Sequence, residues 1–373
     1  MKNYHAVEKL CELDNPFSNS IERDQLFLEA IKENYAFQAE KQPYIEFLAK
    51  QRGFSIEMLN SIDDISKIPP LFVGIMKINS FCNFETKDIA MVLTSSGTKG
   101  QKTQSFFDSK SLDRLSSMAN SCFKELGWTS NIPAHIFVMG YDIREEKNLG
   151  TSWSNNQFLS LAPNESVNWT ILKNENGEFE FDSKYWARKV VELGQEAPIR
   201  FTGFPAFMSQ LAYEVAKIKP DFKAKEGSFI TAGGGWKNHK GVQLTHKDFA
   251  ALMEENLGIP KAFIRDTFGM AEHGVPFCSC SAGNYHIPIY SRILIRDPLS
   301  LKVMPNGQEG LMNLITPYNM AQPNISVLAT DLAIVKDNCS CGIKGNYITS
   351  IRRGGVSKNR GCAIAAQELL DKK

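Results

Sequence analysis

Thr94-Ser95-Ser96-Gly97-Thr98-Lys99-Gly100-Gln101-Lys102, entered from the apolar run Ala90-Met91-Val92-Leu93, is the stretch on which the reading of this chain turns. It places four hydroxyl side chains, two glycines and two lysines directly after a segment that reads as a strand. Glycine lets the backbone approach a ligand closely and take positive φ. Hydroxyls, backbone N–H groups and ammonium groups can then converge on phosphate oxygens. The Gly-Lys-Ser/Thr ending of a Walker loop is absent. The segment reads as a nucleotide-phosphate loop of another kind, or as a polar surface loop after a strand.

Outward from this loop the chain alternates strands and helices. Ile136-Phe137-Val138-Met139-Gly140 is an apolar run ending in glycine, as in a buried parallel strand. Ile199-Arg200-Phe201-Thr202-Gly203, followed by a helix opened by Pro205, repeats the unit. Ser228 to Ala232 running into Gly233-Gly234-Gly235 is a third strand with a glycine turn, and Thr245 caps a helix that Gly258 stops. Ser109 reads as the cap of a helix with Leu112, Leu115, Met118 and Cys122 on one face. Toward the N-terminus, about residues 1–85 read as mostly helical, with Leu26, Phe27, Ala30 and Ile31 on one face of a helix from Ser20 to Lys41. A further helix opens at Pro43. After Ile293 the pattern changes to shorter strands and turns, which implies a smaller β-rich part. Alternation of this kind means an α/β fold with parallel sheet.

With 373 residues the chain can bury a large core, as one big domain or two joined lobes. A net charge of +1 argues against a general nucleic-acid or anionic-membrane surface. No run approaches transmembrane length, and the start lacks the apolar core of a signal peptide. The expected compartment is the cytoplasm, so the eight cysteines read as reduced thiols, metal ligands or a nucleophile.

The loop at Thr94 resembles the phosphate loop of the adenylate-forming superfamily, which comprises acyl-CoA synthetases, adenylation domains and firefly-type luciferases. Three further segments resemble that family's motifs in the same order. Phe268-Gly269-Met270-Ala271-Glu272 is similar to its aromatic-Gly-x-Thr-Glu motif, Thr330-Asp331-Leu332 to its Gly-Asp motif, and Arg352-Arg353-Gly354-Gly355 to its hinge. Within the superfamily the chain resembles the acyl-protein synthetases of bacterial luminescence fatty acid reductase complexes. The run Gly355 to Ala366, which holds Lys358, Arg360, Gly361 and Cys362, is the most specific match, and the similarity spans nearly the whole chain. The resemblance implies the large-lobe fold of an adenylate-forming enzyme, with parallel-sheet subdomains and a smaller β-rich subdomain but without the mobile C-terminal domain. The expected organisation is a large lobe over residues 1–335 and a short tail over 336–373 with the hinge-like segment and an acceptor cysteine.

The chemistry would be activation of a carboxylic acid, which is a poor electrophile until AMP is transferred onto it. Thr94, Ser95, Ser96, Gly97, Thr98, Lys99, Gly100 and Lys102 would hold the phosphates of ATP. The resemblance gives Glu272 the Mg²⁺, a metal that needs only one or two carboxylates; taken alone, Glu272 is a solvated turn residue. Asp331 would bind the ribose diol, or it is a turn aspartate at a strand end. By the resemblance Gly233, Gly234 and Gly235 would lie by the adenine; read alone, they are a tight turn. Arg352 and Arg353 could meet the nucleotide, or be solvated surface charges.

Cys362 lies near Lys358, Arg360, Arg352 and Arg353, a setting that lowers a thiol pKa. By the resemblance it would take the acyl group as a thioester; read alone, it could be a passive tail cysteine. The ligases of the superfamily carry a catalytic lysine in the further domain. Lys358 is the candidate replacement by position only. Ala271 stands where the family has threonine.

Cys278-x-Cys280 and Cys339-x-Cys341 could meet as a structural zinc site, with His286 able to replace one of them; the alternative is free thiols. His273 could approach the acyl carboxylate or the nucleotide, or be a local hydrogen-bonding residue.

The expected function is ATP-dependent activation of a carboxylic acid, a fatty acid by the resemblance, to acyl-AMP. Transfer to Cys362 and delivery to a partner acyl reductase or acyltransferase would follow. Two alternatives stand beside it. One is a ligase that hands an acyl or aryl group to coenzyme A or a carrier protein, of the phenylacetate-CoA ligase type. The other is a non-catalytic nucleotide-binding subunit of a reductase complex. No nucleic acid and no membrane span are expected.

Overall fold

The computed structural model describes residues 4–94, 103–142, 150–234 and 244–354. The chain divides into two compact units. The first comprises Met1–Cys122, Met270–Pro276 and His286–Lys373, the second Phe123–Gly269 and Phe277–Tyr285.

The first unit begins with helices α1 (His5–Cys11), α2 (Ile21–Lys41), α3 (Pro43–Arg52) and α4 (Val73–Ile78), the last reached through the short strand β1 (Leu71–Phe72). Ser20 caps α2 by accepting from the Arg23 N–H, and Pro43 opens α3 where no donor is lost. The inner face of α2 buries Phe27, Ala30 and Ile31, and also Asn34 and Gln38 one turn apart. These two amides are fully buried, and buried polar groups need partners. Asn34 Nδ2 donates to the carbonyls of Pro317 and Asn319, and Gln38 Nε2 donates to Asn34 Oδ1 at 2.9 Å. Asn83 Nδ2 completes the set, with Gln38 Oε1 at 2.6 Å and the Met320 carbonyl at 2.8 Å. The segment from Pro317 to Met320 is therefore tied to α2 by amides rather than by apolar contact alone.

Strands β2 (Met91–Thr94) and β3 (Gln104–Phe107) form an antiparallel hairpin with Thr94 opposite Gln104. The Ser/Thr/Gly/Lys loop is the connection of that hairpin. Helix α5 (Ser109–Glu125) starts at Ser109 itself. The flanking cap position is thus Asp108, whose carbonyl accepts from the Leu112 N–H at 3.1 Å, one residue earlier than the sequence pattern suggested. Leu115, Met118 and Cys122 are buried as expected.

The second unit is the parallel-sheet part. It contains β4 (Ala134–Tyr141), α6 (Gly150–Phe158), β5 (Asn164–Lys173), β6 (Phe179–Glu180), α7 (Ser183–Leu193), β7 (Ile199–Gly203), α8 (Pro205–Ile218), β8 (Phe229–Gly233), α9 (His246–Leu257), β9 (Ile264–Phe268) and β10 (Phe277–Ser279). The strand order is β10-β9-β8-β7-β4-β5-β6. The junctions from β9 through β5 are parallel, and the two outer ones are antiparallel. Every residue of β7 and β8 is buried, including Arg200, Thr202 and Thr231, and Arg200 finds its partner by donating to the Trp128 carbonyl. Trp186 and Val190 of α7, Met208 and Leu211 of α8, and Phe249 and Met253 of α9 share one core with Phe137, Phe201 and Ile230 of the sheet. Thr245 caps α9, and Gly258 ends it in the left-handed conformation at φ 67°.

After β11 (Tyr285–His286), the chain completes the first unit with β12 (Arg292–Arg296), β13 (Glu309–Ile315), β14 (Ser326–Asp337) and β15 (Asn346–Arg353). These last four pair antiparallel in sequence order, and β1 joins β14 in parallel, Leu71 opposite Val327. This is the β-rich part expected after Ile293. No helix among the described residues is long and apolar enough to cross a membrane.

Candidate active site and cysteine–histidine group

Three of the segments that resemble nucleotide motifs, those of Glu272, Asp331 and Arg353, meet at β14. Asp331 lies midway along that strand and stands opposite Arg353 of β15 in the ladder. Burial raises its carboxyl above the ordinary aspartate value, Arg353 and Lys77 of α4 pull it down, and Glu272 pushes it up. Asp331 therefore sits in the electrostatic company of one further carboxylate and two cations, an arrangement that a simple turn aspartate would lack.

Glu272 follows β9 in a tight turn. The His273 and Gly274 N–H groups bond back to the Met270 carbonyl at 3.0 and 2.7 Å. Glu272 is only 4% exposed, so the reading of a solvated turn residue is corrected. Its backbone carbonyl accepts from Asn324 Nδ2 at 3.2 Å, and Asn324 is fully buried. Asn324 lies just beyond the segment that the α2 amides hold. His273 points inward instead, with Nε2 3.0 Å from Ser291 Oγ, and burial pushes its pKa down to about 3. It is a neutral core histidine.

The two adjacent arginines of β15 part company because successive strand residues face opposite ways. Arg352 is exposed and grips the Glu309 carboxylate with both Nε and a terminal nitrogen, the Nε contact being 2.7 Å. Arg353 is the one beside Asp331. Immediately after it, the Gly354 N–H donates to the Thr330 carbonyl at 3.1 Å. A Cβ at Gly354 would stand 2.4 Å from that oxygen, closer than any side chain tolerates, so the glycine is required by the approach of the two strands.

Thr94 ends β2, so the first residue of the phosphate-loop motif is placed at the mouth of the β2–β3 connection. Ser95, Ser96, Gly97, Thr98, Lys99, Gly100 and Lys102 lie outside the described residues, as do Gly235, Lys358 and Cys362. Gly233 and Gly234 belong to the second unit. Gly233 closes β8 opposite Thr267, and Gly234 takes φ 74°. A Cβ at Gly233 would lie 2.7 Å from Thr267 Oγ1. Lys77 and Asn324 are neighbours of the two carboxylates that the motifs did not reveal. Neither belongs to a recognisable pattern, and each is brought in by folding across long separations.

The cysteine pairs are corrected in one member. Cys280, His286, Cys339 and Cys341 form a single group whose ligand atoms all lie within 4.8 Å of one another. His286 Nε2 is 3.2 Å from Cys341 Sγ, and burial lowers the His286 pKa to about 4. Cys278 stays out of the group: it is a core residue of β10 opposite Thr267. The strand ends at Ser279, and the Cys280 N–H bonds the Asn284 carbonyl at 2.9 Å in a turn, so the alternation that would align the two cysteines is broken. The group could hold a metal ion. None of the described cysteines is in a disulfide.

A family model described as "Acyl-protein synthetase, LuxE" matches residues 12–371. Two curated relatives, each named long-chain-fatty-acid–luciferin-component ligase, come from Aliivibrio fischeri and Vibrio harveyi. The first is 26% identical over 84% of this chain and 81% of its own. The second is 24% identical over 84% and 80%. Among solved structures, an open conformation of 2-hydroxyisobutyryl-CoA ligase with its acyl-AMP and CoA matches at a TM-score of 0.66 and 16% identity, covering 88% of this chain and 68% of that one. The same ligase in the postadenylation state gives 0.66 at 15% identity. At such identity the likeness is one of fold, and the fold is the adenylate-forming one that the motifs implied.

Proposed function

The chain belongs to the acyl-protein synthetase (LuxE) family, and from that premise we propose that it activates a long-chain fatty acid with ATP and then carries the acyl group on Cys362. A carboxylate oxygen of the acid attacks the α-phosphorus of ATP, and pyrophosphate leaves with the electrons of the broken P–O bond. The acyl-AMP so formed has a good leaving group. The Cys362 thiolate then attacks the acyl carbon, a C–S bond forms, and AMP departs. An acyl reductase is the partner that would accept the thioester-bound acyl group, as the resemblance to luminescence fatty acid reductase complexes implies.

The observation that carries this reading is the placement of Asp331, Glu272 and Arg353. Two carboxylates that electrostatically sense each other, one of them almost wholly buried, stand in the segments that resemble the family's ribose and metal motifs. Asp331 would accept from the ribose hydroxyls. The donor set suits Mg²⁺, which needs one or two carboxylates alongside phosphate oxygens. Glu272 would hold it, and the ion when bound supplies positive charge to the phosphates. Arg353 and Lys77 bring positive charge to bear on Asp331. The residues from Thr94 to Lys102 would direct hydroxyls and ammonium groups at the phosphates, and Lys358 would assist the developing charge at the α-phosphate.

The test is the mass of the intact protein after incubation with ATP, Mg²⁺ and a pool of fatty acids, with Cys362→Ser in parallel. A hydroxylamine-labile acyl adduct on the wild type alone is expected, and its mass identifies the acid. AMP release without an adduct would move the acceptor to coenzyme A or a carrier protein. ATP binding with no AMP release would leave a non-catalytic nucleotide-binding subunit.

A further inference from the structure

The turn between β14 and β15 runs over eight residues, from Asn338 to Gly345, far longer than the two-residue turns that fix hairpin register by themselves. Its backbone is unusual at three points: Asn338 at φ 61°, Gly342 at 89° and Gly345 at 92°. The Gly342 N–H folds back to the Cys339 carbonyl at 3.1 Å, which turns Cys339 and Cys341 toward the same place. His286 stands there too, its ring edge-on to Phe17 at 5.5 Å and tilted over Tyr347 at 5.9 Å. Packing on two sides thus sets the imidazole orientation, and Nε2 faces the Cys341 sulfur.

We propose that Cys280, His286, Cys339 and Cys341 bind one structural zinc ion, which clamps the β14–β15 turn to the chain around His286. Three sulfurs and one imidazole make a soft tetrahedral donor set, which suits zinc and excludes magnesium or calcium. Zinc–ligand bonds of about 2.3 Å to sulfur and 2.0–2.1 Å to nitrogen put neighbouring ligand atoms roughly 3.5–3.8 Å apart. The observed group falls within reach of that spacing. Burial points to a closed, structural site: Cys280 is 2% exposed, His286 1% and Cys339 6%. Binding exchanges the three thiol protons for the ion and releases them to solvent. The clamp has a mechanical role as well. A slip of one residue between β14 and β15 would send every side chain to the opposite face, and the turn alone is too long to prevent it. With Cys339 and Cys341 fixed, the ladder from Asp337 opposite Asn346 down to Asp331 opposite Arg353 starts from a fixed end.

Elemental analysis of the full chain, purified without added metal or chelator, tests the site directly. About one zinc per chain should survive dialysis. Cys341→Ser and His286→Ala should each lower it at least about fivefold, whereas Cys278→Ser should keep it. If the ligand variants fail to fold, cobalt exchanged into the wild type decides the question, because tetrahedral thiolate ligation gives strong visible bands and a near-ultraviolet charge-transfer band. Removal of the metal should also speed hydrogen exchange along β15. A zinc content below about 0.2 per chain, iron with acid-labile sulfide, a weak octahedral cobalt spectrum, or zinc loss in Cys278→Ser would each overturn the assignment.

Discussion

Asp331 and Arg353 are direct cross-strand partners in the β14–β15 ladder, and the guanidinium counteracts the rise in carboxyl pKa that burial imposes. If ionised Asp331 receives the ribose, KM for ATP should rise as pH falls toward the carboxyl's raised pKa. Arg353→Ala removes a lowering influence, so this acidic limb should move to higher pH. Asp331→Asn should abolish the limb and raise KM for ATP about tenfold or more, the loss of a hydrogen bond to a charged acceptor. Pyrophosphate exchange measured across pH checks both, and an unmoved limb in Arg353→Ala would remove Asp331 from the ribose.

Arg352 offers the contrasting case. Its guanidinium lies on Glu309 at the surface, and exposed ion pairs contribute little to stability. Arg352→Ala should leave both the melting midpoint and the ATP KM unchanged. A kinetic effect as large as that of Arg353→Ala would show that Arg352 leaves Glu309 when nucleotide binds.

Asn324→Ala should lower kcat through Glu272. The substitution strips a buried carbonyl of its donor, at a cost of about 1–3 kcal/mol. Because the carboxylate itself stays, the activity lost should be partly recovered at high Mg²⁺ concentration. Titration of activity against Mg²⁺ separates this from a simple loss of folded protein, which added metal would not reverse.

Gly354→Ala forces a methyl group to within van der Waals range of the Thr330 carbonyl. The strand end must move, because the obstructing atom is backbone. The expected outcome is a several-fold rise in KM for ATP with little change in melting temperature, since only the last ladder rung is disturbed. Unaltered kinetics would mean that the position of Gly354 does not matter to Asp331.

In the second unit, Asp266 accepts from the Tyr285 hydroxyl at 2.5 Å, and burial raises its carboxyl to about 6. The native state therefore keeps a proton that the unfolded chain has already released from pH 4 upward. Unfolding free energy should fall by about 3 kcal/mol as pH rises from about 4 to about 6, then level off. Asp266→Asn should flatten this dependence, since an amide oxygen can still accept from Tyr285 without titrating. Urea denaturation at a series of pH values is the measurement.

The parallel sheet was legible where a strand buried on both faces is apolar throughout, as over residues 136–139, and elsewhere from the glycines that end Ile199–Gly203 and Phe229–Gly233. Helix ends were legible where the chemistry is local, as at Ser20, Pro43, Thr245 and Gly258. At α5 two neighbouring residues, Asp108 and Ser109, can both act as caps, and the pattern selected the wrong one. The motif carboxylates Glu272 and Asp331 were found from their neighbours in sequence. Lys77 and Asn324 were not, because their relevance exists only after distant segments meet. The cysteine spacing suggested a four-sulfur group, but the turn after Ser279 replaces Cys278 with His286. The two units are also interleaved, with Met270–Pro276 and everything from His286 onward returning to the first, which no contiguous boundary in the sequence reveals.

The hydrogen bond from Gly354 to Thr330 fixes the point from which the last stretch of chain departs, and that point is next to Asp331. Cys362 follows eight residues later in the sequence, and eight residues reach at most about 29 Å. On the proposed function, an acyl acceptor in the same chain would need no diffusional encounter with the enzyme, and its supply would not vary with the free thiol pool.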